Sequence, residues 1–347
     1  MIVEAIRKVV DRKHLTREEA FAVMDAIMSG QVTDAQIAAF LTALRMKGET
    51  VEELIGFARV MREKVSVVRT RARVQTSLSG TDREMLVDTC GTGGDATGSF
   101  NVSTATAFVV AGAGIPVAKH GNRSVSSLCG SADVVEALGV RLDLSPERIG
   151  RCVDEVGIGF CYAPLLHKAM KFVMLARREI RIRTVFNILG PLTNPARAAA
   201  QVIGVYDGAL TAVMAEVLKE LGAVRAFVVH GEDGLDELST TGESRVAELR
   251  GGQVRSYIVR PEDFGLPRAR MADLQGGSAA ENAEIIRRIL AGERGAKRDI
   301  VVLNAGAGIA AGGKAADIAE GIGLAERAID SGAAQERLAR LVEFCQG

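Results

Sequence analysis

The sequence predicts an α/β protein, in which a small N-terminal helical domain precedes a large domain whose mainly parallel central sheet is flanked by helices. Three helix-start signals occur within the first 65 residues. From residue 85 to residue 138, strand-like and helix-like segments alternate, which is typical of a parallel sheet with helical crossovers. The composition, with 38 Gly, no Trp and three Tyr among 347 residues, suits a fold with many tight strand-to-helix turns.

Capping boxes open three helices in the N-terminal part. Each box has a Thr followed three residues later by Glu or Gln, and the three boxes are Thr16/Glu19, Thr33/Gln36 and Thr50/Glu53. Apolar residues then recur with the helical period, for example at Ile37, Phe40 and Leu44. Because helices this short are marginal alone, they are expected to pack on later helices or on a second subunit.

The rest of the chain alternates between strands and helices. Strands are predicted at 85–89, 115–118, 202–206, 226–230 and 300–304, and a hairpin at 246–249 and 254–259. Helices are predicted at 103–113, 132–138 and 211–221, over the C-terminal residues, and between Ser145-Pro146 and Gly157. Residues 163–180 are predicted as loop plus helix and residues 183–195 as a loop rich in Pro and Asn. Residues 69–83 lose the apolar period and predict a linker or hinge.

The charge and the cysteines favour a small-molecule enzyme in a reducing compartment. The 43 basic and 43 acidic side chains cancel, so no overall field favours nucleic acid or an anionic membrane. No apolar run reaches the roughly 18 residues that span a bilayer, and charge appears too early for a secretory leader. Five scattered cysteines without a C-x-x-C pair indicate reduced thiols and a cytoplasmic protein.

Two polar, glycine-rich loops within residues 87–131 are the best candidates for chemistry. Gly91, Gly93, Gly94 and Gly98 allow several backbone amides to converge on an anion. Good N-cap residues follow at Asn101, Ser103 and Thr104. The second loop adds Lys119, Asn122, Arg123 and the serines at 124, 126 and 127. A lone Gly-Thr-Gly-Gly turn is usually only a turn, but two such loops predict a ligand with more than one phosphate.

Neither common nucleotide fingerprint is present. The first loop is not Gly-x-Gly-x-x-Gly with an acid about twenty residues on, nor Gly-x-x-x-x-Gly-Lys-Ser/Thr. A nicotinamide dinucleotide or a Walker-type nucleotide is therefore disfavoured.

Five segments together resemble the signature motifs of the anthranilate phosphoribosyltransferase family. They are residues 88–95 (Asp-Thr-Cys-Gly-Thr-Gly-Gly-Asp), 101–104 (Asn-Val-Ser-Thr), 119–123 (Lys-His-Gly-Asn-Arg), 183–195 (Arg-Thr-Val-Phe-Asn-Ile-Leu-Gly-Pro-Leu-Thr-Asn-Pro) and 230–238 (His-Gly-Glu-Asp-Gly-Leu-Asp-Glu-Leu). The similarity runs in order from Leu15 to Ile329. Five motifs in register are far more specific than any one of them.

The resemblance implies a fold, an activity and partners. The family has a nucleoside phosphorylase/phosphoribosyltransferase-like fold and transfers the phosphoribosyl group of 5-phosphoribosyl 1-pyrophosphate (PRPP) to anthranilate, in tryptophan biosynthesis. It divides the chain into a helical domain at 1–68 plus 166–182, which forms dimers and the anthranilate side of the cleft, and an α/β domain at 84–165 and 183–347 that binds PRPP. It also implies a homodimer and suggests association with anthranilate synthase.

The resemblance also assigns site residues. It places PRPP at Gly91, Gly94, Asp95, Ser99, Asn101, Val102, Ser103, Thr104, Lys119, His120, Gly121, Asn122, Arg123, Ser124, Val125, Ser126, Ser127 and Ser131. It places anthranilate at Gly91, Asn122, His167, Arg177 and Pro191. It assigns Mg²⁺ to Ser103, Asp236 and Glu237.

Two of these assignments have independent chemical support. Adjacent carboxylates on a loop, as at Asp236-Glu237, are oxygen ligands that Mg²⁺ accepts, although an isolated pair is more often a solvated turn. An aromatic carboxylate calls for the two-pronged donor that Arg supplies. The residues alone leave that choice open among Arg177 and its basic neighbours Lys168, Lys171, Arg178 and Arg181, and the resemblance selects Arg177.

No residue is assigned as a general base. His120 and His167 are weak candidates, and His230 is expected to end a strand. The lone pair of anthranilate's amine is already free at neutral pH, so attack needs no prior proton removal. The predicted chemistry is a loose, oxocarbenium-like displacement with inversion, in which magnesium, Lys119 and backbone amides stabilise the departing pyrophosphate.

Three small exchanges depart from the usual family pattern, and two rival functions remain. Ala96 replaces a frequent glycine, Ser99 a frequent threonine and Cys129 a common serine. A pyrimidine nucleoside phosphorylase shares the architecture, but its lysine loop usually runs Lys-x-Ser-Gly-Arg. A nucleic-acid-binding relative without catalysis would show a basic surplus and broken motifs, whereas this chain is neutral.

Overall fold

The computed structural model describes residues 1–71, 85–94, 97–124 and 128–347. Four helices form the N-terminal part: α1 (Ile2–Val10), α2 (Arg17–Met28), α3 (Asp34–Lys47) and α4 (Val51–Lys64). All three predicted capping boxes are present, with the side chains of Thr16, Thr33 and Thr50 each accepting the backbone N–H three residues on. The local start signals of these helices are therefore confirmed.

A seven-stranded sheet forms the centre of the second part. Its strands are β1 (Val87–Gly91), β2 (Val117–Gly121), β3 (Ile158–Tyr162), β4 (Ala200–Gly204), β5 (Arg225–Gly231), β6 (Ser244–Arg250) and β7 (Gln253–Val259). Their spatial order is β3-β2-β1-β4-β5-β6-β7, and the first five are parallel. The last two pair antiparallel around Gly251 and Gly252, both at positive φ, so the predicted hairpin is confirmed.

Helices cover both faces of the sheet. They are α5 (Val102–Gly112), α6 (Ser131–Ala137), α7 (Pro146–Val156), α8 (Ala163–Leu166), α9 (Met174–Ile180), α10 (Val185–Leu192), α11 (Leu210–Glu220), α12 (Ala279–Leu290), α13 (Ala296–Ala311), α14 (Ile318–Asp330) and α15 (Ala333–Gln346). Short 3₁₀ helices lie at Lys168–Phe172, Pro261–Phe264 and Met271–Leu274. The helix opened by Ser145 and closed by Gly157 is confirmed as α7.

The two faces of the sheet belong to two different cores. Along β5, Phe227 and Val229 join the core formed with α5, α13, α14 and α15. Ala226 and Val228 alternate with them and join the core that contains α1–α4, α10 and α11. This period of two follows from the pleat of a strand. The N-terminal helices therefore share one continuous core with one face of the sheet, and they pack on later helices as expected.

Two predictions about the second part were wrong, and one strand was missed. Residues 300–304 were predicted as a strand but lie inside α13, which is buried on nearly every side and so shows no amphipathic period. Residues 183–195 were predicted as a loop because they are rich in Pro and Asn. They contain α10, and Pro191 lies in the last turn of that helix. Strand β3 was not predicted at all. The predicted linker at 69–83 lies outside the described residues beyond Arg71.

The segment that follows β3 returns to the N-terminal helices. The 3₁₀ helix Lys168–Phe172 packs on α2, and α9 packs on α3. A side chain on α9 is therefore presented at the junction between the helical part and the sheet. Within the described ranges, every helix is too short or too polar to cross a membrane.

Candidate active site

The predicted loops meet at one edge of the sheet. The glycine loop follows β1, the lysine loop lies at and after the end of β2, and the acidic loop follows β5. Because β1, β2, β4 and β5 are parallel, their carboxyl ends lie side by side, with Gly91 paired to Gly204 across β1 and β4. Ligands of such sheets bind beyond these ends.

The acidic loop touches the glycine loop directly. The amide of Gly93 donates to Oδ2 of Asp236 over 2.9 Å, and the amide of Thr92 donates to the carbonyl of Gly204 over 2.9 Å. Gly93 and Gly94 have φ of 66° and 78°, a conformation that glycine adopts without strain. The predicted amide cradle thus faces the predicted metal ligand.

The far half of the glycine loop is held by a segment that the sequence did not suggest. The amide of Gly276 donates to the carbonyl of Gly98 at 2.9 Å, and Gln275 Nε2 donates to the carbonyl of Thr97 at 3.0 Å. Lys297 Nζ in turn donates to the carbonyl of Gln275 at 2.7 Å. Ser99 forms an isolated bridge with Gln275, so its backbone is already paired.

Asn101 joins the two loops, and this differs from its expected role. Its side chain does not cap α5. Instead, Nδ2 donates to the carbonyl of Cys129 at 3.1 Å, and Oδ1 accepts from Nδ2 of Asn282 at 3.0 Å. Asn282 is buried and also accepts from the amide of Gly277 at 2.8 Å. Asn282 is a positioning residue that sequence reasoning missed, since nothing in α12 marks it.

The next residues of α5 divide between the interior and the site. Val102 is buried, and Thr104 is buried with a hydroxyl that makes no hydrogen bond. The hydroxyl of Ser103 accepts from Lys119 Nζ at 3.2 Å, and the hydroxyl of Thr89 donates to the carbonyl of Ser103 at 3.0 Å. Ser103, rather than Thr104, presents its side chain to the lysine.

Lys119 is a buried cation among the predicted ligands. Its Nζ donates to the carbonyl of Thr89 at 2.5 Å in addition to Ser103. Burial lowers the pKa of Lys119, while the carboxylates of Asp88, Glu237 and Asp236 act in the opposite direction. The ammonium therefore lies near enough to both predicted metal-binding acids to sense their charge.

The remainder of the lysine loop is built around α6. The Arg123 guanidinium donates to Asp133 at 2.7 Å and to Glu136 at 2.9 Å, and the carboxylate of Asp133 also accepts the amide of Ser124 at 3.3 Å. Arg123 is thus paired with α6, and its predicted contact with phosphate stays a prediction. Predicted contacts Asp95, Val125, Ser126 and Ser127, together with Ala96, lie outside the described residues.

Gly121 must be a glycine because two side chains approach it. A Cβ placed there would lie 2.3 Å from Oγ of Ser131 and 2.6 Å from the ring of Phe160. Ser131 Oγ in turn accepts from the amide of Asn122 at 3.2 Å. The predicted contacts Gly121, Asn122 and Ser131 are therefore brought together.

The acidic loop is held on both sides of Asp236 and Glu237. Before them, the carboxylate of Asp233 accepts the amide of Leu235 at 3.1 Å and the hydroxyls of Ser239 and Thr241. After them, the buried side chain of Asn304 accepts from the amide of Leu238 at 2.9 Å and donates to its carbonyl at 2.9 Å. Asn304 lies on α13, which the sequence misassigned, so its role was missed.

Oxygen donors are present at all three predicted metal-binding residues. Asp236 and Glu237 offer the hard carboxylate oxygens that Mg²⁺ accepts, and Ser103 shares Lys119 with them. In the described ranges no three His, Cys, Asp or Glu side chains gather at one point. The two acids and the hydroxyl fit an ion that takes its other ligands from water and substrate phosphate.

His120 and His167 form a buried pair. Their Nε2 atoms are 3.2 Å apart, so one ring donates and the other accepts. Burial lowers the pKa of His120 well below its usual range, with further lowering from His167, and lowers the pKa of His167 to about 4. The backbone of Gly190 is a second partner of His120. Both rings are neutral at pH 7. His230 lies in β5 as expected, with Nδ1 2.7 Å from the carbonyl of Val205.

The histidine pair predicts a pH-dependent stability. The folded pKa of His167 is below the unfolded value of about 6.5, so the unfolded chain binds more protons on acidification, and stability is lost as pH falls. We expect protonation of His167 to lower the free energy of unfolding by about 2 kcal/mol between pH 7 and pH 5. Urea unfolding of wild type and His167→Asn at both pH values measures it. The exposed His14→Asn is the control, and parallel losses in all three proteins would contradict the prediction.

Arg177, which is predicted to bind anthranilate, is half-buried at the junction with the helical part. Its guanidinium lies 5.3 Å from the ring centroid of Phe186, and burial lowers its pKa. Pro191 is buried, and its carbonyl accepts from Gln201 Nε2 at 3.0 Å. No hydrogen bond in the described part joins Arg177 to Gly91 or Asn122, the other predicted anthranilate contacts.

Two protein-family models match the chain. A glycosyl transferase helical bundle domain matches residues 3–65, and a glycosyl transferase α/β domain matches residues 83–335. Together with the three loops at the sheet edge, they define a two-part glycosyl transferase.

Among the most similar relatives are anthranilate phosphoribosyltransferases. That of Geotalea uraniireducens is 57% identical, covering 99% of both chains, and that of Pelotomaculum thermopropionicum is 58% identical, covering 99% of this chain and 96% of its own. The crystal structure of the Thermus thermophilus enzyme has a TM-score of 0.91 at 46% identity, covering 99% of both chains. A Saccharomyces cerevisiae enzyme in complex with PRPP and Mg has a TM-score of 0.87 at 25% identity, covering 99% of this chain and 98% of that one. The chain belongs to the anthranilate phosphoribosyltransferase family.

Proposed function

We propose that the protein transfers the phosphoribosyl group of PRPP to the amine of anthranilate, giving N-(5-phosphoribosyl)anthranilate and pyrophosphate in tryptophan synthesis. The observation that carries the proposal is the contact between the Gly93 amide and Asp236, with Lys119 beside the acidic pair. It brings an amide cradle, a cation and an acidic pair to the same edge of the sheet. Such an arrangement suits a pyrophosphate with a divalent ion.

The donor side binds charge mainly through the backbone. Amides at Gly93 and Gly94 lie in a left-handed turn, a conformation that forms anion-binding concavities. Ser103 and Lys119 add a hydroxyl and a positive charge from the neighbouring strand and helix. Because Lys119 is buried, its charge acts through a medium of lower dielectric than water, which strengthens its effect on a departing anion.

Magnesium would be held by Asp236, Glu237 and Ser103, with Asn304 and Asp233 fixing the backbone of the acidic loop. Bound there, the ion supplies charge neutralisation for the pyrophosphate as it leaves. Asp236 currently accepts the Gly93 amide, so the same carboxylate links the donor loop to the acid pair.

The acceptor needs orientation rather than deprotonation. The bond from C1 of the ribose to pyrophosphate breaks with its electron pair going to the leaving group, the amine nitrogen bonds to C1, and its extra proton then passes to solvent. His120 and His167 are neutral and bonded to each other, so they serve as a rigid wall more readily than as a base. Arg177 orients the carboxylate of anthranilate through its two-pronged guanidinium.

Replacing Arg177 by Lys keeps the charge and removes the planar fork. We expect the KM for anthranilate to rise roughly 10- to 100-fold while the KM for PRPP stays within about twofold. Steady-state kinetics with each substrate varied in turn measure both. Arg178→Lys is the matched neighbour, since Arg178 is exposed on the same helix. If Arg178→Lys raised the KM and Arg177→Lys did not, the assignment would be wrong.

The division of the chain and its assembly belong to the same proposal. We place the helical domain at 1–68 plus 166–182, because the latter segment packs on α2 and α3. Exposed Val3 and Val10 lie one heptad apart on α1 and support a homodimer formed through the helical domain. A cytoplasmic location is consistent with five buried cysteines, which form no disulfide within the described residues.

The assay that tests the function follows anthranilate fluorescence with PRPP and Mg²⁺. Loss of fluorescence that needs all three components supports the proposal. The rival activity is tested in parallel with uridine or thymidine and inorganic phosphate. Phosphorolysis without anthranilate consumption would replace the proposed function with that of a pyrimidine nucleoside phosphorylase.

A further inference from the structure

Arg183 is a cation at the sheet edge with no role in the site described so far. It precedes α10, and its guanidinium carbon lies 4.5 Å from the ring centroid of Tyr206, within the range of a cation–π contact. Among the described residues, no carboxylate lies within 4 Å of it, whereas Arg123 and Arg245 are each paired with an acid. A guanidinium that is stacked on an aromatic ring and has no acidic partner among the described residues can bind an anion.

Tyr206, whose ring stacks on Arg183, is hydrogen-bonded to the glycine loop. Tyr206 follows β4, and its amide donates to the hydroxyl of Thr92 at 3.1 Å. The amide of Thr92 donates back to Gly204 at 2.9 Å. These bonds connect the residue after β1 with the residues at the end of β4, so the position of the ring follows that of the loop.

The guanidinium itself lies against the glycine loop. A Cβ built on Gly94 would come within 2.7 Å of Nη2 and 3.0 Å of Cζ of Arg183. Gly94 is also the position at which the loop turns through positive φ. The planar face of Arg183 is therefore set between Tyr206 on one side and the turn of the amide cradle on the other.

We propose that Arg183 binds the pyrophosphate group of PRPP, as a donor fork closing over the glycine-loop amides. The inference rests on the proposed function. Arginine matches two phosphate oxygens at once, which a lysine does not. Stacking on Tyr206 fixes the plane of the guanidinium before the substrate arrives, which reduces the entropy lost on binding. Arg177, by contrast, is placed over Phe186 at the anthranilate side.

The test compares Arg183→Gln and Arg183→Lys with Arg327→Gln, an exposed arginine on α14 that serves as the control. We expect Arg183→Gln to raise the KM for PRPP roughly 10- to 100-fold, with the KM for anthranilate within about twofold. Arg183→Lys is expected to fall between Arg183→Gln and wild type. Titration calorimetry with inorganic pyrophosphate and Mg²⁺ should show the same order without any turnover.

A variant at Tyr206 separates the contribution of the stacking contact from that of the charge of Arg183. Tyr206→Leu removes the stacking partner and leaves the charge, so it should weaken pyrophosphate binding less than Arg183→Gln, and the double variant should lose less than the sum. If wild type neither bound PRPP nor formed product, both the function and this inference would fall. If wild type did both and Arg183→Gln matched Arg327→Gln, or raised only the KM for anthranilate, this inference alone would be overturned.

Discussion

A variant carrying both Asp236→Asn and Glu237→Gln is expected to lose roughly 10³-fold or more in kcat/KM with PRPP and anthranilate. Asp236 and Glu237 are the only carboxylates assigned to the divalent ion, and their amides keep the size of the side chains while removing the charge. An amide at position 236 still offers an oxygen to the amide of Gly93, so the contact between the two loops is preserved. The loss should therefore come from the metal and the pyrophosphate rather than from a displaced loop.

The matched control for this variant is Glu262→Gln with Asp263→Asn. These two acids are also adjacent, but they lie in the short 3₁₀ helix after β7, where Glu262 pairs with Arg268. Mn²⁺ binding in the presence of PRPP, followed by electron paramagnetic resonance, should be weakened in the first variant and unchanged in the control. Turnover within tenfold of wild type for the first variant would remove the acidic pair from the mechanism.

Gly204→Ala is expected to reduce turnover by more than about 100-fold and to lower the free energy of unfolding by about 1–3 kcal/mol. A Cβ on Gly204 would lie 1.4 Å from the carbonyl oxygen of Asp236, and this contact is with backbone rather than with a flexible side chain. The acidic loop would have to move away from β4. Such a movement would separate Asp236 from the amide of Gly93.

Gly91, which pairs with Gly204, is also approached by Asp236, and we expect its replacement by Ala to destabilise the protein less. A Cβ on Gly91, paired with Gly204 across the two strands, would meet a side-chain oxygen of Asp236 at 2.4 Å. That oxygen can rotate away, so Gly91→Ala should fold better than Gly204→Ala while still losing activity. Urea unfolding and steady-state kinetics measure both quantities.

Gly323→Ala is the control for both glycine variants. Gly323 lies within α14, and a Cβ there would make only an ordinary contact at 3.6 Å with Arg327. Replacing it should leave turnover unchanged and stabilise the protein by up to about 1 kcal/mol. If Gly204→Ala behaved like Gly323→Ala, the close approach of the acidic loop to β4 would play no part in catalysis.

The features that were predicted correctly depend on neighbours in the chain. The box of Thr16 and Glu19, the helix between Ser145 and Gly157, and the hairpin at Gly251-Gly252 each require only a few adjacent residues. The family motifs also lie in short segments, so candidate ligands could be named before their arrangement was known. Alternation of strands and helices predicted a parallel sheet, whereas the order of β1, β2, β4 and β5 within it was decided by the structure.

Where local pattern and burial conflicted, the prediction failed. The run Ile300-Val-Val-Leu-Asn304 has the β-branched composition of a strand, but in α13 it is surrounded on all sides, and tertiary packing overrides propensity. Asn101 occupies the N-cap position of α5, as its residue type predicts, but its side chain bonds to Cys129 and Asn282 instead of capping the helix. Arg123 has the type of a phosphate ligand and is held by Asp133 and Glu136 in the structure, so its contact with phosphate stays a prediction.

By itself, the amino-acid sequence determined the fold class, the helix boundaries that capping residues set, and the residue types available at the ends of the strands. Only the tertiary structure decided which of those residues meet. The contacts of Asp236 with Gly93, of Asn304 with Leu238 and of Arg183 with Tyr206 join distant parts of the chain. Capping and turn preferences depend on a few adjacent residues. The long-range contacts form only when the folded sheet and both cores offset the entropy that is lost in bringing distant loops together.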